Sequence, residues 1–455
     1  MTTDTRDSRR WLCRAFLAAS LATASSLRGQ ASFDWPVSTG DVSRYVMVEE
    51  CIAAAERVDD SVSTWGPRGN TAAVTQPASG VETARRCTSR FPSRTVGLHD
   101  FALLFELYLH AAQDADAQTL LTRRLAAIGG AAGLRERAEV LDTAIRTYLT
   151  VQPERLAAAE SLLVEGSRLP APAFTLAHRI TGYGNLMDLS RRAADSARAH
   201  RAAERLVAIG ASLTPVERQD EWYTSRGKAR VYWALDYLSA GDLLDSLRRS
   251  TAAYVALKRA NWKTAGGGMG VIPFSIGDKA RPLEGAFWFG RGDSAASRTS
   301  GPTPGKVSLV AFLQHGCGPG CDGAVNAVLR RVLARFPDVE LTAVVKTLGH
   351  MGDTTPLTPE AEAALLRTQL RDRVPGVLLV ESTPYARLAA PDKRRINSPT
   401  PNEINYWIGS RIITGNRIAY LVDPTGTIVD AFYLNSFFPS RERELAALLE
   451  ILGKR

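Results

Sequence analysis

The hydrophobic period of this chain changes once, and that change calls for two architectures. From about residue 42 to 260 apolar side chains recur at the spacing of one helix face. Phe101, Leu104, Phe105 and Tyr108 fall at i, i+3, i+4 and i+7, as do Leu141, Ala144, Ile145 and Tyr148, and Val231, Ala234, Leu235 and Leu238 repeat the pattern. From Val307 onward, short apolar runs alternate with helical stretches, which points to a mixed sheet covered by helices. Strands are predicted at 307–313, 339–346, 376–381, 417–422 and 427–432, and helices at 322–336, 358–373 and 440–453. Between the two regimes, Gly266-Gly-Gly268, Pro273, Pro282 and Ser300-Gly-Pro-Thr-Pro-Gly305 forbid a continuous helix.

The plan that follows is an all-α domain over 42–260, a linker with the first strands over 261–305, and an α/β domain over 306–455. At 455 residues the chain has room for two or three domains. Within the linker, Phe274-Ser-Ile276 and Gly285-Ala-Phe-Trp-Phe289 have short-strand character. Within the helical part, Gly129-Gly130, Pro153, Pro170-Ala-Pro172 and Pro215 stand where helices stop or start. They divide it into one helix pair each at 99–130, 134–169, 173–213 and 215–258. Such units suit either a degenerate tetratricopeptide-like array or an irregular bundle, with a surface for a protein partner.

Residues 1–31 read as an export signal. A basic region ending in Ser8-Arg9-Arg10 precedes a small-apolar stretch from Ala15 to Leu27, and Gly29-Gln30-Ala31 suits cleavage before Ser32. Ser8-Arg9-Arg10-Trp11-Leu12 also resembles a twin-arginine export sequence, interrupted by Arg14. The apolar stretch is shorter than the roughly 18 residues of a spanning helix, so no membrane span is expected after cleavage. The expected location is periplasmic or extracellular. The formal charge of +9 owes three of its charges to this segment. What remains is a mild excess without a basic block interleaved with aromatics, which argues against nucleic acid.

Cys13 leaves with the signal, and Cys51, Cys87, Cys317 and Cys321 remain, an even number in an exported chain. The parsimonious pairing joins Cys51 to Cys87 as a structural disulfide, closing a loop of about 36 residues and contributing about 3 kcal/mol in the loop-entropy account. It leaves Cys317 with Cys321, in Leu313-Gln-His-Gly-Cys-Gly-Pro-Gly-Cys-Asp322, between the apolar run 307–313 and a helical stretch. At such a strand-to-helix junction, unpaired backbone N–H groups and the helix dipole favour a thiolate. A thiolate attacks disulfides, and a second thiol nearby resolves the mixed disulfide. Cys317 is the expected nucleophile and Cys321 the resolving thiol. His315 could stabilise the thiolate or shuttle its proton, Pro319 could shape the helix start, and Arg417 could lower the thiol pKa by its charge.

Three segments resemble the thioredoxin-like superfamily, in particular its exported oxidoreductases of the TlpA and redoxin type. They are Gly305-Lys-Val-Ser-Leu-Val-Ala-Phe312, Cys317-Gly-Pro-Gly-Cys321, and Ile418-Ala-Tyr-Leu-Val-Asp-Pro-Thr-Gly-Thr-Ile428, whose Asp423-Pro-Thr-Gly426 also reads as a hairpin turn. The resemblance covers about residues 272–455. It implies a thioredoxin-like α/β fold and thiol–disulfide exchange with protein thiols or a redox partner, with no cofactor beyond the redox-active disulfide. The chain departs from the family in spacing its cysteines by three residues rather than two, and in placing Gly316 before the first of them. Ala311 stands where classical thioredoxins keep a buried carboxylate, and Arg417 where they keep a cis-proline. Peroxiredoxins carry an arginine at about that place, but their Pro-x-x-x-Thr-x-x-Cys motif is absent.

Two other readings stay open. Three-residue spacing also resembles Sco-type proteins, which bind Cu(I) through two thiolates and a histidine; here His315 or His350 would have to serve. Alternatively, the redoxin fold is an inactive scaffold beside a helical binding domain. The other histidines, His99, His110, His178 and His200, stand singly, so no metal site is expected from them.

Overall fold

A computed structural model of the chain describes residues 47–53, 55, 80–98, 100–130, 133–151, 155–267, 276–280, 282–285, 287–289, 298–300, 302–313, 319–346, 357–370, 377–381, 418–434 and 438–454. The predicted export signal lies outside these residues. Among the described residues, no helix is long and apolar enough to cross a membrane. The chain divides into two compact units, residues 1–90 and 91–455. In the first, a helical segment at 47–53 and α1 (Gly80–Thr88) are joined by a disulfide between Cys51 and Cys87, with Cα atoms 6.1 Å apart. This is the pairing expected from the cysteine count.

The second unit opens with three helix pairs where the sequence places them. They are α2 (Phe101–His110) with α3 (Asp114–Ala127), α4 (Leu134–Val151) with α5 (Leu156–Ser167), and α6 (Leu176–Arg192) with α7 (Ser196–Ser212). Two of the intra-pair turns share one geometry. After α2 the Ala112 N–H donates to Leu109 O and the Gln113 N–H to Tyr108 O; after α6 the Ala194 N–H donates to Arg191 O and the Asp195 N–H to Ser190 O. These are Schellman closures, and each needs a left-handed residue, supplied here by Ala112 (φ 52°) and Ala194 (φ 59°). Asp195 then caps α7 through its own carboxylate, accepting the Arg198 N–H at 3.0 Å. The helices close tightly where side chains vanish: a Cβ on Gly210 of α7 would lie 2.7 Å from Val231 Cγ1.

The fourth expected pair, 215–258, is instead a series of shorter pieces. Thr214 and Glu217 form a capping box around Pro215 and start α8 (Pro215–Gln219). A π-helical turn, Tyr223–Gly227, leads into α9 (Lys228–Leu238), followed by α10 (Ala240–Arg249) and α11 (Thr251–Thr264). Ser250, extended at φ −169°, ends α10 and caps α11 by accepting the Ala253 N–H. The serine adds a boundary to a stretch expected to hold one helix pair, and α11 runs beyond the expected end at 258.

The carboxyl-terminal part contains β1 (Leu283–Gly285), β2 (Phe287–Phe289), β3 (Arg298–Ser300), β4 (Ser308–Leu313), α12 (Pro319–Arg335), β5 (Glu340–Lys346), α13 (Pro359–Leu370), β6 (Val377–Glu381), β7 (Ile418–Val422), β8 (Ile428–Tyr433) and α14 (Glu442–Leu452). All five predicted strands and three predicted helices are found, although α12 starts three residues earlier than the apolar pattern suggested. The six-stranded sheet has the order β2-β6-β5-β4-β7-β8, with β4, β5 and β6 mutually parallel and β2, β7 and β8 joined antiparallel. The 285–289 segment is split between this sheet and a two-stranded β1–β3 ladder. The strand expected at 274–276 is not borne out at its described end. Ile276 is in a turn completed by Gly277 at φ 94°, and its carbonyl accepts from Arg259 at 2.7 Å. Phe274 and Ser275 lie outside the described residues.

One hydrophobic core unites the sheet with helices from both parts of this unit. Leu243, Leu247 and Tyr254 of α10 and α11 join Leu309, Ala311, Val328, Val332, Ala343, Ala419, Phe432, Leu445 and Leu449 in a single buried cluster. Each leucine or phenylalanine so buried contributes about 1.5–3 kcal/mol. The β7–β8 turn is also fastened to the helices. Asp423 Oδ1 accepts the Thr425 and Thr427 N–H groups at 2.9 Å, and the Thr251 hydroxyl of α11 donates to Oδ2 at 2.7 Å. Burial works against the Asp423 carboxylate, but these donors hold it below the ordinary aspartate range.

Candidate functional site

Strand β4 is buried along Ser308–Phe312 and lies at the centre of the sheet, paired with β5 on one side and β7 on the other. Ala311 pairs with Ala343 and Ala419, so three small side chains cross the sheet in register. Ala311 is fully buried, which places a methyl group where the thioredoxin pattern has a carboxylate. Five residues separate the strand from α12, which has Pro319 as its first residue and Cys321 as its third. Proline suits that position because its missing N–H has no partner in a first turn. Cys321 is therefore inside the helix rather than ahead of it, in the turn whose backbone N–H groups lack intrahelical acceptors. Cys317 and His315, in 314–318, and Arg417, in 382–417, lie outside the described residues. The first described residue after the latter segment, Ile418, pairs with Phe312 near the carboxyl end of β4.

A second polar feature was not anticipated from sequence. Lys258 of α11, 1% exposed, donates from Nζ to Asp236 Oδ2 of α9 at 2.6 Å and lies 3.0 Å from Asp430 Oδ1 of β8. The Tyr254 hydroxyl donates to Asp430 Oδ2 at 2.6 Å, and Asn261 Nδ2 donates to Asp236 Oδ1 at 2.9 Å. Burial alone would discharge the lysine, yet Asp236 and Asp430 hold it well above its ordinary value, while burial pushes Asp236 up. The sequence carried one clue: Asp430 is the lone charge in Ile428-Val-Asp-Ala-Phe-Tyr433. A neighbouring cluster uses Arg441 against Glu444. Despite burial, Arg441 keeps the Glu444 carboxyl far below its usual range, and Arg191 of α6 adds a contact at 3.2 Å. Asp188 of α6 is pushed up to about 6 by burial, and Ser440 is its hydrogen-bond donor at 3.5 Å.

Strand order, three parallel strands with the helix that carries Cys321 linking the first two in chain order, an antiparallel hairpin after them and a closing helix together form the arrangement that the thioredoxin-like resemblance implies. No protein-family model matches the chain, and no curated protein matches it. Among solved structures it is similar to a putative protein disulfide isomerase from Bacteroides thetaiotaomicron, at 16% identity and TM-score 0.26 over 40% of this chain and 93% of that one. It is also similar to a putative thiol:disulfide interchange protein DsbE from Chlorobium tepidum, at 13% identity and TM-score 0.23 over 39% and 99% of the two chains. A third is the thioredoxin domain of a thiol-disulfide oxidoreductase from Bacteroides vulgatus, at 15% identity and TM-score 0.23 over 38% and 99%. These are distant likenesses, and the fold is read from strand order and direction instead.

Proposed function

We propose that the α/β domain is a thiol–disulfide oxidoreductase acting on protein thiols or disulfides outside the cytoplasm. The observation that carries this reading is the placement of Cys321 in the first turn of a 17-residue helix fed by a central, buried strand. Cys317 precedes that helix by two residues in sequence. As reductant, the Cys317 thiolate attacks one sulfur of a substrate disulfide and expels the other as a thiolate, which takes up a proton. The Cys321 thiolate then attacks Cys317 Sγ in the mixed disulfide, releasing the second substrate thiol and forming the Cys317–Cys321 bond. Two electrons pass to the substrate, and the reverse sequence oxidises a dithiol. His315 and Arg417 act as the cationic neighbours of the thiolate in this scheme. The Cys51–Cys87 disulfide supports an oxidising compartment.

The test is insulin reduction with dithiothreitol as donor, run beside mass mapping of alkylated cysteines before and after mild reduction. Cys317→Ser should abolish turnover, and Cys321→Ser should trap a mixed disulfide. Unchanged turnover in Cys317→Ser, or failure of either thiol to alkylate after reduction, overturns the reading.

A further inference from the structure

Three helices from different parts of the second unit bring arginines to one groove. Arg191 and Arg192 end α6, Arg331 and Arg335 lie on the last turns of α12, and Arg443 lies on the first turn of α14; with Glu442 they line a hollow of about 350 Å³. Three of these guanidinium groups are held in place by glutamates. Arg331 is bidentate on Glu442 at 2.9 and 2.6 Å, Arg335 contacts Glu450, and Arg191 contacts Glu444 at 3.2 Å. Arg192 and Arg443 are exposed, and no acidic partner is assigned to either among the described residues. Isolated surface arginines are ordinary, and two at a helix carboxyl end complement its dipole. Convergence from three elements is different: with the other three arginines already paired to glutamates, Arg192 and Arg443 are the cations left to meet an anion at one concavity. The glutamate-held arginines fix the walls of the hollow, and a planar guanidinium at its rim meets an oxyanion through paired N–H donors.

We propose that this groove binds a small multivalent oxyanion, a molecule bearing clustered phosphoryl or carboxylate groups, with Arg192 and Arg443 supplying the free donors. The inference is independent of the redox chemistry, since the groove is lined by the carboxyl-terminal half of α12 and Cys321 stands in its first turn. The volume suits a compound of two or three anionic groups rather than a polymer. Because the walls come from α6, α12 and α14 together, a bound anion also ties the helical array to the sheet and raises the melting temperature.

Titration calorimetry and thermal unfolding of the full chain, with inorganic pyrophosphate and citrate as probes at matched ionic strength, test this. The expected result is saturable one-to-one binding of at least one probe, weakened roughly tenfold or more by Arg192→Glu with Arg443→Glu, as loss of two charge-assisted contacts requires. Arg205→Glu with Arg226→Glu makes the same charge change elsewhere and should leave the affinity unchanged. Tighter pyrophosphate identifies a phosphoryl ligand, and tighter citrate a polycarboxylate. Absence of saturation by either probe at about 10 mM, or affinity equal in the groove variant and the chain itself, overturns the proposal.

Discussion

Replacing Lys258 with methionine is the sharpest test of how the helical array is locked to the sheet. The substitution keeps a long apolar side chain but removes the ammonium that Asp236 and Asp430 face with side chains 4% and 1% exposed. Removing one partner from a buried ion group leaves uncompensated charge, at a cost of about 3–5 kcal/mol. That is a large part of the roughly 5–15 kcal/mol that holds a domain folded. Urea denaturation followed by tryptophan fluorescence should show the midpoint falling at constant slope. Burial already pushes the Asp236 carboxyl above the ordinary aspartate value, and losing the lysine removes the attraction that opposes that rise. The folded variant then binds more protons than the unfolded one. Its deficit is therefore smallest near pH 4 and grows as pH rises toward neutrality. Adding Asp236→Asn and Asp430→Asn removes both orphan charges, so the triple variant should be more stable than Lys258→Met alone. A single-variant loss under about 1 kcal/mol, or strict additivity of the three changes, would refute the reasoning.

Three further outcomes can be checked by similar means. Asp188, pushed up to about 6 by burial, binds a proton in the folded chain over a range where the unfolded chain has lost it, so stability falls as pH rises from about 4 to about 6. Asp188→Asn should remove that slope and gain about 1–2 kcal/mol at pH 7.5 with no gain at pH 4; an unchanged pH profile would contradict it. Asp423→Ala strips acceptors from two backbone amides and the Thr251 hydroxyl, and should cost about 2–3 kcal/mol in chemical denaturation. The carboxylate of Asp423 is held low, so its contribution persists at neutral pH and disappears only as pH falls below the ordinary aspartate range. Ala194→Gly relieves a left-handed alanine at a Schellman closure and should raise stability by about 0.5–1 kcal/mol, whereas a lower melting temperature would rule out that account.

Secondary structure was legible wherever periodicity alone decides it. Strand β4, with its run of buried side chains, and the helix faces of α2 and α4 carry unambiguous patterns. The 215–258 stretch, expected as one helix pair, holds more pieces because the helices end at Ser239 and Ser250. The hydroxyl of Ser250 competes for the chain's own N–H groups, which an apolar count does not register. Asp423-Pro-Thr-Gly426 was readable as a turn because Gly426 must adopt φ 79°, a local requirement. The buried lysine was not readable, since Lys258 on an amphipathic helix looks like any solvated residue until Asp430 arrives from 172 residues away. The helix that carries Cys321 starts earlier than the apolar pattern suggests, because Gly-Pro-Gly reads as a loop while Pro319 opens a helix.

The shared core of α10, α11 and the sheet has a practical corollary for anyone preparing the α/β half alone. A fragment trimmed to begin at the first strand would strip Leu243, Leu247 and Tyr254 from the buried cluster they share with the sheet. It would also bury Asp430 with its counter-cation cut away. A soluble, well-behaved piece has to start upstream, early enough to include Asp236, which makes the last helices of the array part of the smaller module's own foundation.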